Sequence, residues 1–254
     1  MKLLKCEYLK TRRRFIFITA LLVTAAEIFW ALHGDYDAGA LKRGWMVILY
    51  QFPVINAIFL PLLSIIVSSR LCDIEHRGST LKQLAVMSEK GKIYDAKFTY
   101  GFSIVLFCIA LNFAVTIAFG FVKGFHGGFP GKLYLLYLLF TIAPTFSVYA
   151  FQHVLSLLYK NQAVSFFAGA IGTFIGLFSM FLQNLPLLRR IFIWGYYGTL
   201  QLVGLYGYTK ETRWDNAYFE VYKADLFAFA AIVFLGAVIY LIGRYIFTKS
   251  ERIY

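Results

Sequence analysis

Long, nearly uninterrupted runs of apolar residues dominate the pattern along this chain. Crossing a hydrocarbon core of ~30 Å takes about 20 mostly apolar residues in a helix that rises 1.5 Å per residue. Six runs satisfy this requirement, and they cover residues 15–32, 45–69, 98–122, 133–159, 163–185 and 225–247. The pattern therefore predicts six transmembrane helices with both termini on the same side of the membrane.

A seventh run, residues 191–208, is uncharged but is interrupted by four glycines and is rich in tyrosine. Amphipathic aromatic side chains concentrate where a membrane meets water. We therefore predict that this run is interfacial or re-entrant and does not form a seventh span. The side chains expected at headgroup depth are Trp194, Tyr196, Tyr197, Tyr206 and Tyr208.

The distribution of basic residues predicts which side is cytoplasmic. With six spans, sixteen of the 25 Lys and Arg residues lie on the side of the termini. Because cytoplasmic loops are enriched in Lys and Arg, both termini are predicted to be cytoplasmic. The chain is then a single all-α membrane domain, residues 1–254, with an amphipathic cytoplasmic segment (1–14), a cytoplasmic loop (70–97) and an outer interfacial loop (186–224).

The composition agrees with a membrane protein. Of the 254 residues, 60% are hydrophobic and only 15% are charged, whereas a soluble domain carries about 25% charged residues. This difference excludes an ordinary soluble enzyme. The net charge of +12 would suggest nucleic acid in a soluble protein, but here basic residues at membrane edges, which contact the lipid bilayer, explain it better.

The first 40 residues allow one alternative interpretation. A basic start, an apolar run and the small residues Ala38-Gly39-Ala40 together resemble a secretory signal peptide with a cleavage site. The apolar run is long for such a signal and contains Glu27, and Asp35 and Asp37 lie where a cleavage region is normally uncharged. We therefore prefer a first transmembrane helix.

Motifs for chemistry within the chain are missing from the sequence. A nucleotide-binding loop would need Gly-x-x-x-x-Gly-Lys, and the nearest segment, residues 126–132, begins with His126 in place of the first glycine. It is better interpreted as a tight turn. The four histidines and three cysteines have no spacing typical of metal sites or disulfides. We therefore predict no catalytic residue, metal or cofactor in this chain.

The cytoplasmic loop contains a short predicted helix, residues 81–87. Thr80 and Gln83 have the spacing of a capping box, and Gly91 is suited to end the turn. Its apolar side chains recur every three residues, at Leu81, Leu84 and Met87. A helix of about seven residues does not persist alone in water, so we expect it to dock on the membrane surface or on a partner protein.

The order of residues in this loop resembles the ABC-2 family of ABC transporter permeases. In that family, the loop between spans two and three has a glutamate, a Gly-Thr or Gly-Ser pair, a helix, and then an apolar-Tyr-x-x-Lys segment before span three. Glu75, Gly78-Ser79-Thr80, the predicted helix and Ile93-Tyr94-Asp95-Ala96-Lys97 match this order. The N-terminal segment 7–14, with a glutamate, Leu-Lys and three arginines, is similar to the family's amphipathic start.

The resemblance implies an ABC-2, type V exporter-like fold and a division of labour between chains. An ABC ATPase subunit that binds ATP and magnesium would dock under the helix, and a second permease subunit, different from this chain or identical to it, would complete the pathway. The implied coupling residues are Glu75, Arg77, Gly78, Leu81, Leu84 and Met87. The implied N-terminal interface comprises Glu7, Lys10, Arg12, Arg13 and Arg14.

Within the family, a chain of this length with aromatic-rich spans and no fused ATPase looks most like the permease subunits of lantibiotic self-immunity transporters of the bacterial cytoplasmic membrane. The resemblance implies export of a lantibiotic or related antimicrobial peptide. One alternative is a general ABC-2 exporter of drugs, antibiotics or lipid-linked molecules. A second alternative, of another class, is a membrane channel or scaffold without an ATPase.

Polar residues within the predicted spans are candidates for a substrate pathway, because such residues are costly in a membrane and face protein or water. They are Glu27, Gln51, Asn56, Gln152 and His153. Glu27 is interpreted either as a contact for a cationic peptide or as a hydrogen-bonding partner of a neighbouring span or of the outer loop near Arg189. The other four are equally typical of hydrogen bonds between helices.

One predicted span carries a face of small residues, which allows helices to approach closely. The residues are Ala168, Gly172 and Gly176. Packing within the same subunit and a seam between two permease subunits are both open interpretations.

Overall fold

The computed structural model describes residues 2–34, 36–78, 80–182, 186–209, 214 and 216–249. Helices make up most of this part of the chain, and one small sheet accompanies them. In chain order the elements are α1 (Lys2–Thr11), α2 (Ile16–Leu32), α3 (Ala38–Lys42), α4 (Gly44–Gly78), α5 (Leu81–Met87), α6 (Lys90–Val122), α7 (Gly131–Leu158), α8 (Gln162–Phe181), α9 (Pro186–Ile191), a 3₁₀ turn (Ile193–Gly195), α10 (Tyr196–Thr199), β1 (Val203–Tyr206), β2 (Tyr218–Val221) and α11 (Leu226–Lys249).

Each predicted span corresponds to a long helix. Among the described residues, α4, α6, α7, α8 and α11 are long and apolar enough to cross a membrane. Helix α2 has 17 residues and makes a sixth candidate when it is counted together with α1, from which it is bent by 73°. The protein is thus a multi-pass membrane protein with five or six candidate spans.

Two of the spans extend beyond their predicted ends into the segment 70–97. Helix α4 continues to Gly78, and α6 begins at Lys90. The segment 70–97 is therefore mostly helical, because only residues 79–89, which include α5, separate the two helices. The polar ends of these helices carry charged side chains that form ion pairs with other elements. A search for apolar runs cannot detect helical residues of this kind.

Helix α7 occupies the centre of the bundle, where it packs against α4, α6 and α11, while α8 packs against α4. Val148, Tyr149 and Ala150 in the middle of α7 are fully buried. Burial of apolar side chains on several sides of one helix is typical of the core of a bundle. Because α4, α6 and α11 all pack against α7, this central helix holds the other three in one bundle.

The small-residue face of α8 packs within the chain. Gly172 and Gly176 are buried against Trp194, whose ring and backbone lie where a Cβ atom at either position would stand. Ala168 is only half-buried, and the buried glycine one position later, Gly169, contacts Gln152 of α7. Packing inside the subunit therefore accounts for Gly172 and Gly176, while Ala168 lies at the edge of the face.

Replacing Gly176 with valine is expected to lower the thermal unfolding midpoint, because the added side chain would overlap the Trp194 backbone carbonyl. Overpacking of this kind costs about 1–3 kcal/mol. The measurement is thermal unfolding in detergent. Ala163→Val, at an exposed position of the same helix, is the matched control and is expected to leave the midpoint unchanged. Equal shifts in both variants would contradict this account of the packing.

The run 191–208 does not form a seventh span, as predicted, but its aromatic residues divide into two groups. Trp194, Tyr196 and Tyr197 are buried in the protein, so their side chains pack against other residues and do not face lipid headgroups. Tyr206 and Tyr208 are exposed. Gly172 and Gly176 on α8 leave the space that Trp194 occupies.

A short antiparallel hairpin corrects the prediction of an all-helical chain. Strands β1 and β2 pair with Val203 opposite Val221 and Tyr206 opposite Tyr218. Valine and tyrosine favour strands, but four-residue strands give too short an alternation to be recognised in an apolar run. The hairpin lies in the predicted outer loop, and β1 contacts α4.

Candidate functional site

Four elements meet at the end of the bundle that is predicted to be cytoplasmic. They are α1, the last turns of α4, the short helix α5 and the first turns of α6. Helix α1 is bent away from α2 and packs against α6, which places its buried side over the ends of the two extended spans. This junction brings together charged residues that are far apart in the sequence.

Two acidic and two basic side chains form a compact group at this junction, which we call the charge cluster: Glu7, Lys10, Glu75 and Lys97. Lys97 Nζ lies 2.8 Å from Glu7 Oε2 and 3.0 Å from Glu75 Oε1. Lys10 Nζ lies 2.7 Å from Glu75 Oε1 and 3.4 Å from Glu7 Oε1. The cluster therefore links α1, α4 and α6 through four charge pairs.

Burial makes these pairs interdependent. The Lys97 side chain is 0% exposed and that of Glu75 is 1% exposed, while Lys10 is the most accessible member at 28%. A buried charge is costly unless a partner of opposite sign compensates it. Two positive and two negative charges balance within the cluster. Removing any one member would therefore leave an uncompensated charge at the junction.

The cluster connects directly to α5. The Thr80 hydroxyl donates to Glu75 Oε2, and the Thr80 backbone N–H donates to the Glu75 carbonyl at 3.2 Å. Thr80 precedes α5 but its side chain does not cap that helix, so the predicted capping box with Gln83 is wrong. The carboxylate of Glu75 competes successfully for this hydroxyl because charge-assisted hydrogen bonds are stronger than neutral ones.

Helix α5 presents a different surface from the predicted stripe. Leu81 is only 4% exposed and packs with Cys72, Tyr94 and Leu157. Met87 is 83% exposed, and Leu84 is half-buried. At 3.6 residues per turn, positions six apart differ by about 120° around the axis. The three residues therefore do not share one outward face.

The outward tip of α5 consists of Val86 and Met87, which are 89% and 83% exposed. Gly91 does not end this helix as predicted, because it is buried inside α6. The chain leaves α5 at Ser88, which is extended with φ −154° and ψ 153°. Helix α5 is thus anchored at its start and exposes two apolar side chains at its end.

The remaining predicted coupling and N-terminal residues lie around the cluster but outside it. Arg77 forms an exposed pair with Asp73 at 2.6 Å within α4, and Gly78 ends that helix. The three arginines of the predicted N-terminal interface, residues 12–14, are exposed at the bend between α1 and α2. Only Glu7 and Lys10 of that predicted interface reach the cluster.

Some residues of the site were not identified from the sequence. In the sequence, Lys97 stands out only as the last residue of the apolar-Tyr-x-x-Lys segment. Its two carboxylate partners, Glu7 and Glu75, lie 90 and 22 positions away. Asp95 forms a second pair, with Arg244 of α11, in which Arg244 Nε lies 2.8 Å from Asp95 Oδ1. The Tyr240 hydroxyl donates to the same oxygen at 2.6 Å. No local spacing indicates such long-range pairs.

The predicted pathway residues do not line a common route. Glu27 is buried, and its carboxylate interacts with the Asn112 side chain of α6, so of its two interpretations the structure supports contact with a neighbouring span. Asn56 Nδ2 donates to the Tyr137 hydroxyl at 2.8 Å. The Gln152 side-chain amide lies 3.0 Å from Ser165 Oγ of α8.

His153 is fully buried among aromatic rings, the closest being Tyr94 with its ring centroid 5.0 Å away. Like Glu27, Asn56 and Gln152, it lies at contacts between helices. Gln51 differs from these four residues, because it lines a cavity.

A cavity of about 1780 Å³ opens at the opposite end of the bundle, the end predicted to be outer. Its walls come from the end of α2, the first half of α4, the end of α8 and the segment that contains α9, α10 and the hairpin. Eight of the 26 lining residues are aromatic: Trp30, Tyr36, Tyr50, Phe181, Tyr206, Tyr208, Trp214 and Tyr222. Arg190 and Asp225 form an ion pair at its edge, 2.9 Å apart.

The comparison with known protein families identifies the chain's relationship. Residues 3–176, which run from α1 into α8, match a family model described as an ABC-2 family transporter protein. Neither a curated protein nor a solved structure matches the chain.

The family match covers the charge cluster, α5 and most of the spans, and it confirms the resemblance seen in the loop and the N-terminal segment. Permeases of this family are membrane subunits of transporters, are generally not catalytic themselves and typically work with an ATPase partner. The chain belongs to the ABC-2 family of transporter membrane proteins.

Proposed function

We propose that this protein is the permease subunit of an ATP-driven exporter in the bacterial plasma membrane, with an ATPase subunit docked on α5. The observation that carries the proposal is the exposed apolar tip of α5, Val86 and Met87, on a helix whose start is fixed to the spans. Exposed apolar residues beside a rigid anchor are typical of a docking site for another protein. ATP and magnesium would bind on the partner.

The charge cluster supplies a physical route from α5 to the spans. A displacement of α5 by the ATPase would pull on Thr80, and through its hydrogen bond on Glu75 at the end of α4. Lys97 and Lys10 join Glu75 to α6 and α1. Because a buried ion pair is costly to separate, these elements would move together. Rigid elements that share such contacts transmit motion more directly than a loop does.

For the substrate, we propose a lantibiotic or related antimicrobial peptide taken from the outer leaflet. The cavity of about 1780 Å³ is large enough for a segment of a peptide, and its many aromatic side chains suit an amphipathic ligand. A second permease subunit, a different chain or a copy of this one, would enclose the pathway. The cavity rather than Glu27 is the site of substrate contact in this proposal.

The test is a susceptibility panel in cells that lack the gene, complemented with this chain and its cognate ATPase. We expect resistance to a cationic lantibiotic, and loss of that resistance when the ATPase cannot hydrolyse ATP. Equal resistance to small drugs would favour a general ABC-2 exporter of drugs, antibiotics or lipid-linked molecules. Resistance to nothing, together with no ATPase in the purified complex, would favour a channel or scaffold.

Replacing Trp30 with alanine is expected to reduce the protection against the lantibiotic. Trp30 lines the cavity and is 69% exposed, so its removal should weaken substrate contact without unfolding the protein. Loss of one aromatic contact is worth about 0.5–1.5 kcal/mol, or roughly two- to tenfold in the inhibitory concentration. Phe234→Ala is the control, because Phe234 is equally exposed, at 68%, but lies outside the cavity. Equal protection by both variants would argue against this cavity.

A further inference from the structure

The bend between α1 and α2 concentrates positive charge that none of the ion pairs among the described residues neutralises. Arg12, Arg13 and Arg14 are consecutive and exposed. None of the ion pairs found among the described residues includes any of the three, whereas the adjacent Lys10 is paired with both Glu7 and Glu75. These three arginines are called the arginine bend below. No carboxylate of the described residues competes with an external anion for their guanidinium groups.

The geometry of the bend presents this charge beside apolar surface. Helix α1 meets α2 at 73°, so α1 runs close to the membrane plane if α2 crosses the membrane. Leu9, which lies about 160° around α1 from Glu7, is exposed, and Tyr8 beside it is also exposed. Phe15, which turns the chain with a positive φ of 54°, is also exposed. A helix with apolar residues on one side and basic residues at its end is typical of binding at a lipid interface.

A cavity of about 620 Å³ lies at this bend and is lined by Leu9, Lys10 and the arginine bend. Guanidinium groups bind phosphate oxygens through paired hydrogen bonds, and the apolar wall at Leu9 would contact the first part of an acyl chain. The shape, charge and apolar wall together fit one class of ligand, a lipid with a phosphate-containing headgroup of net negative charge.

We propose that the arginine bend binds the headgroup of an anionic phospholipid from the leaflet in which α1 lies. This binding would hold α1 in place from outside while Glu7 and Lys10 hold its other side to the charge cluster. The proposal does not depend on which substrate is exported. It differs from the general attraction of basic residues to membranes because it assigns the binding to three particular residues.

The experiment is native mass spectrometry of the full-length protein in detergent, titrated with phosphatidylglycerol or with phosphatidylcholine. We expect the wild-type protein to prefer phosphatidylglycerol. In the variant R12Q/R13Q/R14Q this preference should fall about a hundredfold, because each basic residue near an anionic surface contributes roughly fivefold to binding. The matched control is R70Q/K160Q/K249Q, which removes three exposed basic residues predicted to lie at the same face and should change the preference less than twofold.

Three results would overturn the proposal. An unchanged preference in R12Q/R13Q/R14Q would show that the bend does not bind the lipid. Equal losses in both triple variants would show that only diffuse charge is at work. Displacement of the lipid by glycerol phosphate at equal concentration would show that the site takes a free anion, because the acyl chain would then contribute nothing.

Discussion

Replacing Lys97 with methionine is expected to be among the most destabilising single changes in this protein. Methionine has a similar length but no charge, so Glu7 and Glu75 would lose the cation that lies within 2.8 and 3.0 Å of them. Removal of one partner of a buried pair costs about 3–5 kcal/mol. The measurement is the thermal unfolding midpoint of the purified permease in detergent.

A second variant separates the loss of charge balance from the loss of packing. In E7Q/E75Q/K97M the two carboxylates become neutral together with the lysine, which leaves no uncompensated buried charge, and Lys10 retains access to water. We expect this triple variant to be more stable than Lys97→Met alone. If the triple variant is no more stable than the single one, the cluster is not held by charge compensation.

The apolar spans of this fold could be predicted from the sequence because their cause is local. A run of apolar residues is costly to expose wherever it lies, so its position follows from composition along the chain. The predicted run 98–122 ends where α6 ends, at Val122. The start of α6, eight residues earlier, depends instead on Asp95 and Lys97, whose charges are compensated by other helices.

The site could be predicted only in part, for the same physical reason. Glu7, Lys10 and Glu75 were selected from family patterns in two separate segments, but their common neighbour Lys97 links them only after the chain has folded. The predicted face of α5 was wrong because a spacing of three residues drifts around a helix, and burial of Leu81 settles which side faces inwards. Which charged residues pair, and which side of a short helix faces inwards, depend on the tertiary structure and cannot be inferred from local spacing.

The burial of Trp194 shows why the structure of the outer segment could not be predicted from the sequence. A tryptophan in a glycine-rich, uncharged run is typical of a membrane interface. Here the two glycines of α8 leave a groove that the ring fills, so the residue becomes part of the protein core. Gly176 and Gly172 lie 18 and 22 positions before Trp194 in the sequence. Neither the glycines nor the tryptophan indicates by itself that they are in contact.

Replacing Val86 and Met87 together with aspartate is expected to abolish the association with the ATPase subunit. Both side chains are more than four-fifths exposed, so the permease itself should fold normally, while two carboxylates would stand where the proposed partner supplies an apolar pocket. Apolar anchors at the centre of an interface contribute about 2 kcal/mol or more each. A combined loss of about 4 kcal/mol weakens binding roughly a thousandfold.

The measurement is co-purification of the cognate ATPase with a tagged permease, together with the unfolding midpoint of the permease alone. Tyr159→Asp is the control, because Tyr159 is also an exposed apolar side chain and follows α7 at the same end of the bundle. We expect that variant to retain the ATPase. Full retention by the double variant would remove the docking role of α5, and equal loss in both would show that any added negative charge at this end repels the partner. Because α5 is fixed by Leu81 and Thr80 on its inner side, loss of the ATPase without a change in the unfolding midpoint would assign docking to the tip and anchoring to the remainder of the helix.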